Sequence, residues 1–210
     1  AANLTRQGKA IIVTGADVGA GPHVKAFDLA TGREVASFFA YDRNFRGGVR
    51  VALGDVDGDG LPDIVTAPGP QHPPQIKVFS GLNSRLLANW LAYDATHVVG
   101  AYVATADITK NGRADVIVGP DVNGCGLVRV FDPLRGTRLG EVAPYLAKFR
   151  GGIRVAGHDV NNDGVLDIVC APGPDVPAPV RVFDGRNSKP LVEFYPFERT
   201  FAGGVFIGAK

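Results

Sequence analysis

A nine-residue loop that recurs at a fixed interval constrains this chain more than any other feature. Asp55-Val56-Asp57-Gly58-Asp59-Gly60-Leu61-Pro62-Asp63 holds four carboxylates. Its pattern returns in Asp107-Ile108-Thr109-Lys110-Asn111-Gly112-Arg113-Ala114-Asp115 and in Asp159-Val160-Asn161-Asn162-Asp163-Gly164-Val165-Leu166-Asp167. Each copy keeps an acid at the first and ninth places, an oxygen-bearing side chain at the third and fifth, and a glycine at the sixth. The interval is constant, since 107 − 55 = 52 and 159 − 107 = 52. Residues outside the loop obey it too: Phe27, Phe79, Phe131 and Phe183 share one place, Tyr41, Tyr93, Tyr145 and Phe197 another, and Gly48, Gly100, Gly152 and Gly204 a third. A repeat of this length means a solenoid, a propeller or an array, in which each unit buries its apolar face only against its neighbours.

Within a unit the pattern is one of short strands. Val49–Gly54 is small and β-branched, the acidic loop leads to Asp63–Ala67, a Pro- and Gly-rich turn leads to Gln75–Phe79, and Leu86–Tyr93 follows Ser80-Gly81. The chain has 28 Gly and 15 Pro and no helical period, which suits many tight turns and few helices. The expectation is an all-β protein, a four-bladed β-propeller of four-stranded antiparallel blades. Four units account for 4 × 52 = 208 of the 210 residues. The phase of the repeat places Asn3–Ile11 on a degenerate, acid-free copy of the loop and Val205–Ala209 on a first strand. The expected ring is therefore closed by N- and C-terminal strands in one blade, which leaves no open sheet edge. The expected blades are 203–210 plus 3–46, 47–98, 99–150 and 151–202, in a single domain.

Alternating oxygen side chains suit a hard cation that takes six to eight oxygen ligands, and the glycine permits the turn that gathers them. The candidate ligands are Asp55, Asp57, Asp59 and Asp63; Asp107, Thr109, Asn111 and Asp115; and Asp159, Asn161, Asp163 and Asp167. Two to three Ca2+ sites are expected, because the middle copy keeps only two carboxylates and adds Lys110. The competing reading is a set of Asx turns that hold no metal. Four carboxylates in one loop repel one another unless a cation sits among them, which favours calcium in the first copy.

The unit resembles the FG-GAP or integrin-alpha-type propeller repeat, in which an inner strand leads through an Asp-rich calcium loop to a strand ending near Gly-Ala-Pro. The matching residues are Gly54-Asp55 to Asp63 with Ala67-Pro68, Asp107 to Asp115 with Gly119-Pro120, Asp159 to Asp167 with Ala171-Pro172, and Gly15-Ala16 in the degenerate copy. The Phe-Gly half of the pattern is altered to Leu53-Gly54, Ala106 and Gly157. The resemblance implies a calcium-binding, integrin-like module acting in adhesion or binding at an extracellular or cell-surface location, where millimolar calcium fills weak sites. Its partner would be a protein or glycan ligand. The same repeat is similar to domains attached to polysaccharide lyases and hydrolases, which keeps a polysaccharide-active enzyme as the alternative, with a structural segment of a longer array as a third.

The remaining signals narrow partners more than they name them. A formal net charge of +1 without a run of one sign announces neither nucleic acid nor a polybasic membrane patch, and no apolar stretch approaches bilayer length. The N-terminus lacks the basic and apolar regions of a signal peptide. Cys125 and Cys170 fall at different places in the repeat and read as unpaired. Lys25, Lys77, Arg129 and Arg181 put one cation on each third strand, read as bridging to acids of their own or a neighbouring blade. Phe45, Arg46, His72, His97, Phe149, Arg150 and Phe201 belong to turns expected on the face opposite the calcium loops, where a ligand would bind; the alternative is that the three phenylalanines wedge between blades. His23, His72, His97 and His158 occupy four unrelated places, and no nucleophile has a base at a recognisable spacing, so no catalytic residue is assigned and the reading is a non-enzyme. A closed ring is expected to be a monomer, with a strand-swapped dimer as the variant in which a second chain supplies the missing strand.

Overall fold

The computed structural model describes residues 2–3 and 10–208. Those residues form the strands β1 (Ala2–Asn3), β2 (Ala10–Gly15), β3 (His23–Asp28), β4 (Glu34–Phe39), β5 (Val49–Gly54), β6 (Asp63–Pro68), β7 (Gln75–Phe79) and β8 (Leu86–Leu91). The series continues with β9 (Ala101–Ala106), β10 (Asp115–Pro120), β11 (Val128–Phe131), β12 (Arg138–Val142), β13 (Ile153–His158), β14 (Asp167–Pro172), β15 (Val180–Phe183) and β16 (Pro190–Phe194). They make four four-stranded antiparallel sheets, each in sequence order, and no helix occurs among the described residues. The 52-residue unit is thus one sheet, and its strand limits follow the Gly, Pro and Asp punctuation. Each sheet carries the same irregularity on its third strand, before Phe27, Phe79, Phe131 and Phe183. The fourth strand of the second sheet stops at Leu91, two residues short of the Tyr93 expected from sequence.

The reason for that early stop is what joins the sheets. Tyr93 leaves its strand and reaches into the next sheet, where its hydroxyl lies 2.8 Å from the Val118 carbonyl and 2.7 Å from the Leu127 carbonyl, its one proton shared between them. Tyr41 does the same to Thr66 and Gln75, and Tyr145 to Cys170 and Pro179. Burial raises the pKa of all three phenols, so they stay neutral donors. The third-strand cations answer them from the other side. Lys77 Nζ and Arg129 Nη1 each donate at 2.9 Å to the carbonyls of Ala40 and Ala92, and Arg181 to that of Pro144. Their charges lie over the rings of Tyr41, Tyr93 and Tyr145. Lys25, Arg129 and Arg181 also pair with Glu34, Glu141 and Glu193 on their own sheets.

Apolar side chains fill the space between the hydrogen-bonded rims. Phe38 packs on Phe79 at 4.7 Å between ring centres and Trp90 on Phe131 at 4.4 Å, each pair spanning two sheets. The second strands of the two middle sheets, β6 and β10, are covered on both faces and buried along their whole length. Cys170 is among these core residues and Cys125 is exposed, and both are free thiols.

The described residues do not show the closed ring expected from sequence. Ala2–Asn3 pairs antiparallel with β2, at Ala2 to Ile11 and Asn3 to Ala10, and so holds the edge assigned to Val205–Ala209. Residues 205–208 form no strand. The Val205 amide donates at 2.8 Å to Pro172 at the end of β14, just as the Val49 amide donates to Ala16 where the chain enters the second sheet. The terminal segment therefore lies along the fourth sheet, with Phe206 81% exposed, and no strand pairing among the described residues joins it to the first sheet. The degenerate loop expected at Asn3–Ile11 lies largely outside the described residues, as does Ala209.

Candidate metal centre

Each acidic loop joins the first strand of a sheet to the second, and in each the first Asp builds the turn. The Asp55 carboxylate accepts the Gly58 and Gly60 amides, that of Asp107 the Asn111 and Gly112 amides, and that of Asp159 the Asp163 and Gly164 amides. The sixth-place glycine stands at φ 83°, 82° and 79° in the three copies, a left-handed conformation that a side chain would strain. The seventh-place residues Leu61 and Val165 are buried and tie the first and third loops to the core, whereas Arg113 at that place points outward.

The ninth acid is where the copies diverge. Asp63 accepts the Val56 amide of its own loop on one oxygen and the Gly81 amide of the third-to-fourth-strand turn on the other, both at 3.0 Å. Asp167 repeats this with Val160 and Gly185. In the middle copy the turn residue is Pro133, which has no amide proton to give. There one oxygen of Asp115 takes the Ile108 amide, the Thr109 amide and the Thr109 hydroxyl. Burial raises the pKa of both Asp63 and Asp115, against the lowering effect of these hydrogen bonds.

The first loop brings its acids together: Asp55, Asp57 and Asp63 each offer an oxygen, all within 4.8 Å of one another. Asp59 stays outside that group and caps the Leu61 amide. The third loop does not gather Asp159, Asp163 and Asp167 so closely. There the Asn161 amide donates to Asp163, and Arg186 lies 3.2 Å from the same carboxylate. In the second loop Asp107 and Asp115 serve backbone donors, Asn111 caps the Arg113 amide, and Thr109 has turned its hydroxyl onto Asp115. The first loop alone thus has the convergent negative charge that suits a hard divalent cation. Arg113, whose guanidinium comes up against Gly58, and Arg186 were not singled out from sequence. Leu61 and Val165 hold the place of Arg113 in the other copies, and Leu82 and Leu134 hold that of Arg186, so the period gives neither a signal.

On the opposite face the turns do meet as expected from antiparallel strands: the Gly19 amide donates to Arg46 and the Asn123 amide to Arg150, each across two sheets. Phe149 is buried against Tyr145, and Phe45 packs between Tyr41 and His72, so both wedge between sheets. A cavity of about 400 Å³ opens beside Phe149, lined by Tyr145, Lys148, Phe149, Asp175, Arg181 and Tyr195 among others. Its lining combines aromatic rings with the charged side chains of Lys148, Asp175 and Arg181.

Residues 55–118, which span the first two acidic loops, match the family model described as an FG-GAP-like repeat. Solved structures share the fold at low identity. The rhamnogalacturonan lyase YesW superposes with a TM-score of 0.62 at 13% identity, over 91% of this chain and 41% of that one. A rhamnogalacturonan lyase, PL11, of Bacillus licheniformis gives 0.59 at 12% identity, over 92% and 50%. U3-55K gives 0.58 at 13% identity, over 96% and 55%. The chain therefore spans about half the length of the structures that it matches.

Proposed function

We propose that this chain, which carries a repeat of the FG-GAP type, is a non-catalytic propeller module stabilised by calcium and used for binding or adhesion outside the cytoplasm. The observation that carries the reading is the convergence of Asp55, Asp57 and Asp63 at a turn between two buried strands. Asp63 alone connects the acidic loop to the turn beyond the third strand, so an ion held there fastens three segments of one sheet. Calcium supplies charge neutralisation at that point, and its role is to hold the loop. Asp159, Asn161, Asp163 and Asp167 offer a second, weaker set, and the middle loop, where Thr109 is committed to Asp115 and Asn111 to the Arg113 amide, serves as a turn.

The ligand in this reading is a protein or glycan bound on the opposite face, at the cavity between Tyr145, Lys148 and Tyr195. Aromatic faces suit sugar rings, and Lys148 with Arg181 suits a carboxylated sugar. A calorimetric titration with Ca2+, followed by a glycan array read with calcium and with chelator, tests both halves. Heat and binding that depend on Asp57 support the proposal, and no calcium uptake at millimolar concentration overturns it. The second reading, part of a polysaccharide-active lyase, draws on two similar structures that are rhamnogalacturonan lyases about twice as long. Release of unsaturated oligosaccharides from a pectic polysaccharide by this chain would establish it instead.

A further inference from the structure

We propose that the exposed apolar face of the fourth sheet docks on the first sheet of a second copy of this chain, repeating head to tail between chains the contact made three times within one. The repeat supplies the argument residue by residue. Phe194 stands where Phe38, Trp90 and Val142 pack into the following sheet, and Phe197 stands where Tyr41, Tyr93 and Tyr145 do. Phe197 is 54% exposed, against 5% for Tyr41, and Phe194 is 49% exposed. The receiving half lies uncovered at the other end. Ile12 is 45% exposed where Ile64 is 1% exposed, and Thr14 is exposed where Thr66, Val118 and Cys170 are fully buried.

The polar parts match as well. Lys77, Arg129 and Arg181 each reach the carbonyl of the residue just before the tyrosine on the preceding sheet. Lys25 occupies their place and pairs with Glu34, while the Pro196 carbonyl occupies the place of Ala40, Ala92 and Pro144. Arg129 and Arg181 hold a glutamate and a carbonyl together, so the Glu34 pairing leaves Lys25 able to take Pro196 of another copy. The outer part of the contact that joins successive sheets is thus exposed on both end sheets among the described residues, while residues 205–208 hold the inner-strand place on the fourth sheet. Such a contact is heterologous, and it joins the fourth sheet of one copy to the first sheet of the next.

Sedimentation of the 210-residue chain over about two decades of concentration tests this. The mass should rise with concentration. Thr14→Arg blocks the receiving face and Phe194→Arg the entering face. Each variant alone should stay monomeric, and an equimolar mixture should form a one-to-one dimer and stop, because one sound junction remains. Both positions are exposed, so circular dichroism should report unchanged folding. Phe197→Tyr restores the hydroxyl that the other three sheets place between two carbonyls, and should tighten association about fivefold, the effect of one net hydrogen bond. A wild-type chain that stays monomeric throughout overturns the proposal. So does association that both arginine variants retain, or a mixture of the two that stays monomeric. A monomer whose melting temperature falls with Phe194→Arg would show that the same chain closes on itself instead.

Discussion

The loops at 55–63 and 107–115 share a backbone and differ in what their side chains leave over. Both turns are built by the first acid, which caps the amides of the following residues, and both use a glycine near φ 80° to close. In the second loop one oxygen of Asp115 takes three donors and Asn111 caps a backbone amide. The Thr109 hydroxyl turns onto Asp115, whose cross-sheet partner is lost because Pro133 has no amide proton. In the first loop Asp57 caps only the Asp59 amide, and its charge stands beside those of Asp55 and Asp63. An Asx-turn scaffold therefore persists whether or not its acids converge. On the calcium reading proposed above, residual negative charge, and not loop shape, separates a cation site from a turn.

Breaking the anchor should give the largest effect. Asp63→Ala strips two buried amides of their acceptor and should cost about 3 kcal/mol of stability in chelator. Asp115→Ala, which unties only its own loop, should cost about 2 kcal/mol. Urea denaturation in the absence of calcium measures both, and the comparison fails if Asp115→Ala is the more costly. Asp57→Ala separates charge from scaffold. It should be nearly silent in chelator and should remove about 2.7 kcal/mol of calcium-dependent stability at a hundredfold excess over the dissociation constant. Thr109→Ala should cost about 1 kcal/mol equally with and without the ion, since it deletes a hydrogen bond and no site. Melting curves of the two variants in calcium and chelator decide this.

Titration sharpens the contrast further. Burial raises the pKa of Asp63 and Asp115 from the ordinary aspartate value in the folded chain. A raised folded value favours the protonated form, so its contribution to stability is present at low pH and is lost as pH rises through that value. Without calcium the melting temperature should fall as pH climbs from the carboxylate range toward neutrality. With calcium the ionised Asp63 is the form that binds, so its part of the slope should reverse, while that of Asp115 should remain. Parallel slopes with and without calcium would put the ion somewhere other than the first loop.

The strands and loops were legible because a constant 52-residue interval aligns every turn residue with three equivalents, and β5, β7, β9 and β13 lie where the punctuation puts them. Ring closure was not legible. A period fixes which residues are equivalent, but the angle between successive sheets comes from how Phe38 meets Phe79 and how Trp90 meets Phe131, which the interval does not encode. The same holds for the tyrosines. Their recurrence was visible at 41, 93 and 145, yet that each hydroxyl reaches two carbonyls of the next sheet depends on the strand ending early. At the site, the acids were all readable and their competitors were not, because Arg186 and Pro133 act through turns distant in sequence from the loops they influence.

Arg186 gives the smallest and most discriminating test. Its guanidinium stands 3.2 Å from the Asp163 carboxylate and also donates to the Asp163 carbonyl, so in the third loop a side chain occupies charge that a cation would otherwise use. The pair is half exposed at the arginine, and an exposed pair contributes about 0.5 kcal/mol or less, so Arg186→Ala should hardly move stability in chelator. Its effect should be on affinity. Freed of the arginine, Asp163 joins Asp159 and Asp167 with its full charge available, and calcium should bind the third loop several-fold tighter while the first loop is unchanged. Isothermal titration of Arg186→Ala in an Asp57→Ala background isolates that site. Tightening there means that the third loop differs from the first by competition alone. Unchanged binding means that the wider spacing of its carboxylates sets the affinity, and that loop geometry would then rank the two sites after all.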